Sequence, residues 1–305
     1  MSPFDAARAA LHPGTLALYE NRPEDAVRHL EAAVAGRRWP ASTALRAQLA
    51  MAHYRAGRFP DAAREFARAA GPLPLGPLRS LAGLARQLAA FGDTQPYRIE
   101  GPPETRLAFV DTDPLPTVEL SVNGGPPALF LLDTGGAEIV LDARFAAAAG
   151  AEITGSLSGE YGGRRRARTG LGKVDAVRAG ELDVRDVPVH TLDLGLIRAH
   201  FGADLRGILG TRFLMHFLAT IDYPGGALTL RRGGEPPDGA RIPFWLAETH
   251  LILARGRLND LPPALFWIDT GVAGGGVLAT EARLREAGVE VDWSKRHEGR
   301  GAAGS

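Results

Sequence analysis

One stretch of the chain is written twice. "VNGGPPALFLLDTGGA" at 122–137 lies over "LNDLPPALFWIDTGVA" at 258–273, with a constant offset of 136 residues (Asp133 to Asp269). The asparagine, both prolines, Ala-Leu-Phe and Asp-Thr-Gly coincide. Further on, "ARFAAAAGAEI" aligns with "ARLREAGVEV" once two residues are inserted. A single Asp-Thr-Gly carries little information, since chance alone puts it in about a few per cent of chains this long. Alone it also reads as a turn after a strand, with Asp as the cap and Thr and Gly as turn formers. Two copies in matching apolar frames imply one structural unit used twice.

Each copy ends a run that reads as a buried strand, Leu129–Leu132 in the first, with a carboxylic acid. Duplicated units of this kind predict a pseudo-twofold axis with Asp133 and Asp269 facing each other across it. Two close carboxylates cannot both ionise cheaply, so they hold one proton between them. Such a pair can take a proton from a water and give one to a carbonyl oxygen. Thr134 and Thr270 can hydrogen-bond across the axis. Gly135 and Gly271 allow the backbone to turn sharply and bring an N–H towards each carboxylate.

Before this β-type region the pattern is different. Residues 1 to about 92 are rich in Ala, Leu and Arg at helical spacing. "YENRPEDAVRHLEAAV" and "YRAGRFPDAAREFARAA" match at Ala26 and Ala62, Leu30 and Phe66, and Ala33 and Ala69, a period of 36 (26 to 62). That is close to a helix–turn–helix repeat. With Gly57 at the turn and Pro74 after the second helix, it resembles tetratricopeptide repeats. "LRSLAGLARQLAAF" (78–91) reads as a third helix capping the stack.

Near residue 100 Pro and Gly cluster, and short β-type runs begin: "RLAFV", "TVELSV", "ALFLL" and "LTLRR", separated by turn signals at Asn123-Gly124-Gly125 and Pro224-Gly225-Gly226. "GGEPPDGA" reads as a second linker. The expected organisation is a helical repeat over 1–93, a linker over 94–104, a first β lobe over 105–234, a linker over 235–242 and a partial second lobe over 243–305. The shift in composition predicts separate cores for the helical and β parts.

Composition removes several classes of function. Lys plus Arg number 35 and Asp plus Glu number 35, so no net field points to nucleic acid or a membrane surface. The chain has no cysteine, which excludes disulfides, thiolate metal sites and a cysteine nucleophile. The eight histidines include no His-Glu-x-x-His and no close pair, so neither a metal nor a cofactor is expected. No apolar run reaches the length of about 20 residues that a membrane span needs. The start, "MSPFDAARAALHPG", lacks a basic region followed by an apolar core, so no signal peptide is expected and a cytoplasmic location is the default. "FVDTDPLPT" has Pro114 and Pro116 where a phosphatase-type loop needs Gly-Thr. "GVAGGGV" lacks dinucleotide-loop spacing, and "TGSLSGE" is not a nucleophile elbow. Arg164, Arg165, Arg166 and Arg168 read as a solvated loop face.

The region from about 105 to 305 resembles retropepsin-like aspartic proteases in a bacterial tandem form. The two Asp-Thr-Gly copies carry the resemblance, with "GILGTRFL" (207–214), where Ile208, Leu209 and Gly210 match the apolar-apolar-Gly strand that supports the catalytic loop in that family. The resemblance makes "ATIDYPGGALTLRR" a closing hairpin and puts the substrate-covering flap at 159–172. It implies peptide-bond hydrolysis through an activated water, with Asp133 and Asp269 alternating as base and acid and no covalent intermediate. The substrate would be a protein or peptide, and the helical repeats would recruit a protein partner or substrate. Three features depart from the family. Ala137 and Ala273 stand where a hydroxyl or acid is usual, Glu138 is charged where a small or polar residue is usual, and the second copy stops near the start of its own flap, so its lobe reads as incomplete. A homodimer through the first lobe, with an Asp133–Asp133 pair, is one consequence. A non-catalytic peptide- or protein-binding chain that retains the protease fold is the rival reading.

Overall fold

The computed structural model describes residues 11–36, 42–160, 166–248, 250–273 and 276–295. Among the described residues five helices come first: α1 (Pro13–Tyr19), α2 (Pro23–Ala35), α3 (Thr43–Arg55), α4 (Phe59–Ala70) and α5 (Leu78–Ala89). Proline in the first turn opens α1, α2 and α4, where its missing N–H costs no helical bond. Acidic first turns on α2 (Glu24, Asp25) and α4 (Asp61) suit the positive end of the helix dipole. Successive helices pack in chain order. Ala17, Leu18, Ala26, Val27, Leu30, Leu49 and Ala52 form one small core among α1, α2 and α3.

The β region closes on itself. Its strands are β1 (Arg98–Glu100), β2 (Glu104–Ala108), β3 (Thr117–Val122), β4 (Ala128–Leu132), β5 (Ile139–Asp142), β6 (Glu152–Glu160), β7 (Arg166–Ala179), β8 (Leu182–Leu192) and β9 (Leu205–Leu209). The main sheet runs β1-β8-β5-β9-β4-β3-β7-β6, and β7 also pairs with β8, which makes a barrel. Closure removes most of the edges that an open sheet would expose. Helix α6 (Ala143–Ala148) follows β5, α7 (Gly195–Phe201) precedes β9, and α8 (Thr211–Leu214) follows it. The expected closing hairpin forms as β10 (Leu218–Asp222) and β11 (Ala227–Arg231), joined by β2 in a three-stranded sheet.

The second copy builds a smaller sheet, β12 (Phe244–Ala247), β13 (Leu251–Gly256) and β14 (Ala264–Ile268), followed by α9 (Glu281–Glu286). Strands β4 and β14 fall at equivalent places in the repeat. The repeated asparagine does the same work in both lobes: Asn123 Nδ2 donates to the Ala149 carbonyl (2.8 Å) and Asn259 Nδ2 to the Ala287 carbonyl (2.7 Å). The lobes differ in cover. Strand β4 lies between β3 and β9 and buries Phe130, Leu131 and Leu132. Among the described residues β14 pairs only with β13, and Trp267 stays 50% exposed.

The expectation of separate cores does not survive. Ala50, Phe59, Phe66, Leu88 and Phe91 of the helical part are continuous with Val118, Leu120, Phe130, Val174 and Leu209 of the barrel. The reason is helix α5, which lies on β6 and β7. Gly83 and Gly155 allow this contact. A Cβ on Gly83 would sit 2.2 Å from the Ser156 carbonyl oxygen, and one on Gly155 would sit 2.4 Å from that of Gly83. Gln87 Nε2, buried in the seam, donates to the carbonyls of Gly172 (2.8 Å) and Val189 (3.2 Å). Composition marks where the backbone type changes, whereas the core follows the packed faces.

Candidate active site

Asp133 ends β4 and Asp269 ends β14, and the two loops meet. Each threonine hydroxyl reaches across. Thr134 Oγ1 donates to the Ile268 carbonyl and accepts from the Thr270 N–H, both at 3.0 Å. Thr270 Oγ1 donates to the Leu132 carbonyl at 2.9 Å and accepts from the Thr134 N–H at 3.0 Å. The four bonds form two symmetric pairs about the axis predicted from the repeat.

The glycines fit against the opposite acids. A Cβ on Gly135 would lie 2.5 Å from Asp269 Oδ2, and one on Gly271 would lie 2.4 Å from Asp133 Oδ1. Any side chain at either position would displace a carboxylate. Asp133 Oδ1 accepts from the N–H groups of Gly135 (2.8 Å) and Gly136 (3.1 Å), while Asp269 Oδ1 accepts from Gly271 (2.8 Å). Burial, then the nearby charge of Asp269, pushes the Asp133 carboxyl up to about 7. The backbone N–H groups of Gly135 and Gly136 oppose that rise without cancelling it.

Ile208, Leu209 and Gly210 pass behind the first loop. Strand β9 runs parallel to β4, with Ile208 opposite Leu131 and Leu209 opposite Leu132, and antiparallel to β5. The Leu209 carbonyl accepts from the Asp133 N–H at 3.1 Å. A Cβ on Gly210 would lie 2.4 Å from the Glu138 carbonyl oxygen, so glycine lets the support come close. Beyond it, the N–H groups of Thr211 and Arg212 donate to the carbonyls of Gly136 and Ala137, both at 2.9 Å. Thr211 Oγ1 donates to the Thr134 carbonyl at 2.7 Å. The structure therefore gathers Asp133, Thr134, Gly135, Asp269, Thr270 and Gly271 at one place, with Ile208–Gly210 behind the first loop.

The flap expected over 159–172 corresponds to the β6–β7 hairpin. Residues 161–165, with Arg164 and Arg165, lie outside the described residues. Arg168 is exposed on β7 and bonds through Nε to Ser156 Oγ at 3.3 Å. No group of three or more metal-ligating side chains occurs among the described residues, and no described helix is long and apolar enough to cross a membrane.

In the sequence Glu138 stands out only as a charge in an unusual place, and Arg212, Tyr54 and Tyr97 are not marked by any motif. Glu138 is buried and pairs with Arg212 (Nε to Oε1, 3.0 Å). The signal was present: an acid inside "AEIVL" and an arginine inside "GTRFL" are charges in apolar frames. A cavity of about 160 Å³ adjoins them on the helical side, bounded in part by Tyr54, Gln87, Glu138, His190, Arg212 and His250. Neither Asp133 nor Asp269 lines it, so it is separate from the paired acids.

Residues 118–213 match the aspartyl protease family. The matched stretch runs from β3 through α8 and includes Asp133-Thr134-Gly135 and Ile208-Leu209-Gly210. Two solved structures are similar over part of this chain. One is a retropepsin-like aspartic protease from Rickettsia conorii, at 20% identity, covering 44% of this chain and 92% of that one with a TM-score of 0.30. The other is the retroviral protease-like domain of Ddi1 from Leishmania major, at 17% identity, covering 44% and 95% with a TM-score of 0.27. Comparison with curated proteins finds no match.

Proposed function

We propose that the protein is an aspartic peptidase whose two catalytic carboxylates, Asp133 and Asp269, come from the two copies of its repeat. The observation that carries this reading is the reciprocal packing of each acid on the other loop's glycine, with Asp133 pushed up to about 7. Below that pH Asp133 holds a proton while Asp269 serves as the base. A water between them gives its proton to Asp269 as its oxygen attacks the scissile carbonyl carbon. Asp133 gives its proton to the carbonyl oxygen, and a neutral gem-diol results. Collapse of the diol returns one hydroxyl proton to Asp133, Asp269 passes its proton to the leaving nitrogen, and the C–N bond breaks. No covalent intermediate forms. Thr134 and Thr270 brace the loops, and Ile208–Gly210 support the first of them.

The substrate is a protein or peptide, and the helical module recruits it or a protein partner. The bonds that Thr134 and Thr270 of one chain make across the axis support an intramolecular site over an Asp133–Asp133 pair in a homodimer. Ala137 and Ala273 favour a second reading, a non-catalytic peptide-binding chain, since neither supplies a hydroxyl beside its acid. Cleavage of an unfolded protein, measured across pH with and without a mimic carrying a hydroxyl at the scissile position, separates the two. A peptidase is inhibited by the mimic and loses activity as pH rises through about 7, the value to which Asp133 is pushed. Peptide binding with no cleavage at any pH supports the second reading.

A further inference from the structure

Glu138 is an acid that the proposed chemistry does not use, yet it is only 5% exposed and fully engaged. Its carboxylate accepts from Tyr54 OH (2.7 Å) and Tyr97 OH (3.1 Å) as well as pairing with Arg212. The Arg212 guanidinium lies 4.5 Å from the centre of the Tyr54 ring, and its NH2 reaches Met51 Sδ at 3.4 Å. Tyr97 stacks on His216 with ring centres 3.9 Å apart. These groups come from different parts of the chain: Met51 and Tyr54 from α3, Tyr97 from the segment before β1, Glu138 from the end of the Asp133 loop and Arg212 from α8.

A buried ion pair is often no better for stability than apolar residues of the same volume, so its clearest use is to fix one arrangement over others. The arrangement fixed here is that of the loop. Arg212 holds the Glu138 side chain and, through its own N–H, the Ala137 carbonyl. Thr211 holds the Gly136 and Thr134 carbonyls. Burial, then the Glu138 carboxylate, keeps both tyrosine hydroxyls protonated far above neutral pH, so both remain donors.

We propose that Tyr54, Tyr97 and Arg212 grip Glu138 as positioning residues, so that the helical module sets the geometry of the Asp133 loop and is part of the working site. The inference rests on the dyad reading for its catalytic consequence and on the contacts alone for its mechanical one. The Asp133 loop has three anchors: the Thr270 loop across the axis, the Leu209–Arg212 segment behind it, and the helical module, which reaches Glu138 through Tyr54. Loosening the Tyr54 anchor moves the carboxylate relative to its partner without unfolding the barrel.

The test uses Tyr54→Phe and Glu138→Gln in the full chain. Tyr54→Phe keeps the ring under the guanidinium and removes one donor. The expected result is a kcat, per site titrated with the hydroxyl-bearing mimic, lowered about tenfold with KM unchanged, because small misplacements of reacting groups are costly. Amide exchange at Gly135 and Gly136, whose N–H groups bond to Asp133, should quicken while exchange at Val177 in the barrel stays as in wild type. If the Glu138→Gln chain fails to fold, Tyr54→Phe decides. A lower melting temperature with unchanged kcat per titrated site and unchanged exchange at Gly135 and Gly136 would overturn the proposal. If wild type cleaves nothing, the peptidase reading fails, and the exchange measurement alone decides whether the grip exists.

Discussion

At the scale of residues, the paired acids give the chain a stability cost as well as a possible chemistry. The Asp133 carboxyl rises from an ordinary 3.8 to about 7 because burial and Asp269 both disfavour its charge. Folding therefore holds a proton that the unfolded chain has already released. The stability linked to this proton is complete below about pH 4 and is lost as pH climbs through about 7, by on the order of a few kcal/mol. Asp133→Asn cannot ionise and still accepts from the N–H groups of Gly135 and Gly136. It should melt above wild type at pH 8 and level with it at pH 3.5, as read by thermal unfolding at the two pH values. Equal melting at both would mean that burial does not strain Asp133. Thr270→Val keeps the shape of the side chain but leaves the Leu132 carbonyl and the Thr134 N–H without their partners. Unpaired buried groups cost about 1–3 kcal/mol each, so the variant should lose on the order of 2 kcal/mol in denaturant unfolding. These residues were legible in the sequence because the motif occurs twice in one frame. Glu138 and Arg212 were visible only as misplaced charges, since nothing in the sequence says that Tyr54, some eighty positions away, would supply the matching donor.

At the scale of elements, short apolar runs bounded by Gly, Pro and Asn pointed to β2, β3, β4 and β11, and the repeat pointed to the equivalence of β4 and β14. The helices were legible from their Ala and Leu spacing. What lay opposite them was not. Periodicity shows that a helix has a face to bury and is silent about which surface receives it. Helix α3 illustrates this, because it buries Leu49 and Ala52 towards α1 and α2 and Ala50 towards the core shared with the barrel. Such a two-sided helix has no single apolar stripe to read. The docking of α5 through Gly83, Gly155 and Gln87 was equally hidden, since glycine in a helix pattern reads as a weakness rather than a contact. Deleting residues 1–92 removes Phe59, Phe66, Leu88 and Phe91 from the shared core and takes Tyr54 from Glu138. The remaining chain should be unfolded or aggregated, as seen by circular dichroism and size-exclusion chromatography. A monomeric, cooperatively melting β fragment would contradict the continuous core.

At the scale of the whole molecule, the helices, the barrel and the smaller second sheet converge on one pair of loops. The first lobe is closed and well buried, whereas the second presents Trp267, Leu265 and Phe244 to solvent. The second lobe nevertheless contributes half of the proposed site, through Asp269 and Thr270. The central claim is that both carboxylates of one chain act together. Its most direct measurement is turnover of an unfolded protein substrate near pH 5 by purified monomeric Asp269→Asn beside wild type, at concentrations too low for chains to associate. Asn keeps the shape of the side chain and cannot accept the proton of the attacking water. The account predicts that wild type cleaves and the variant does not, with the fold of both intact by circular dichroism. Wild-type-like turnover by the monomeric variant would contradict it.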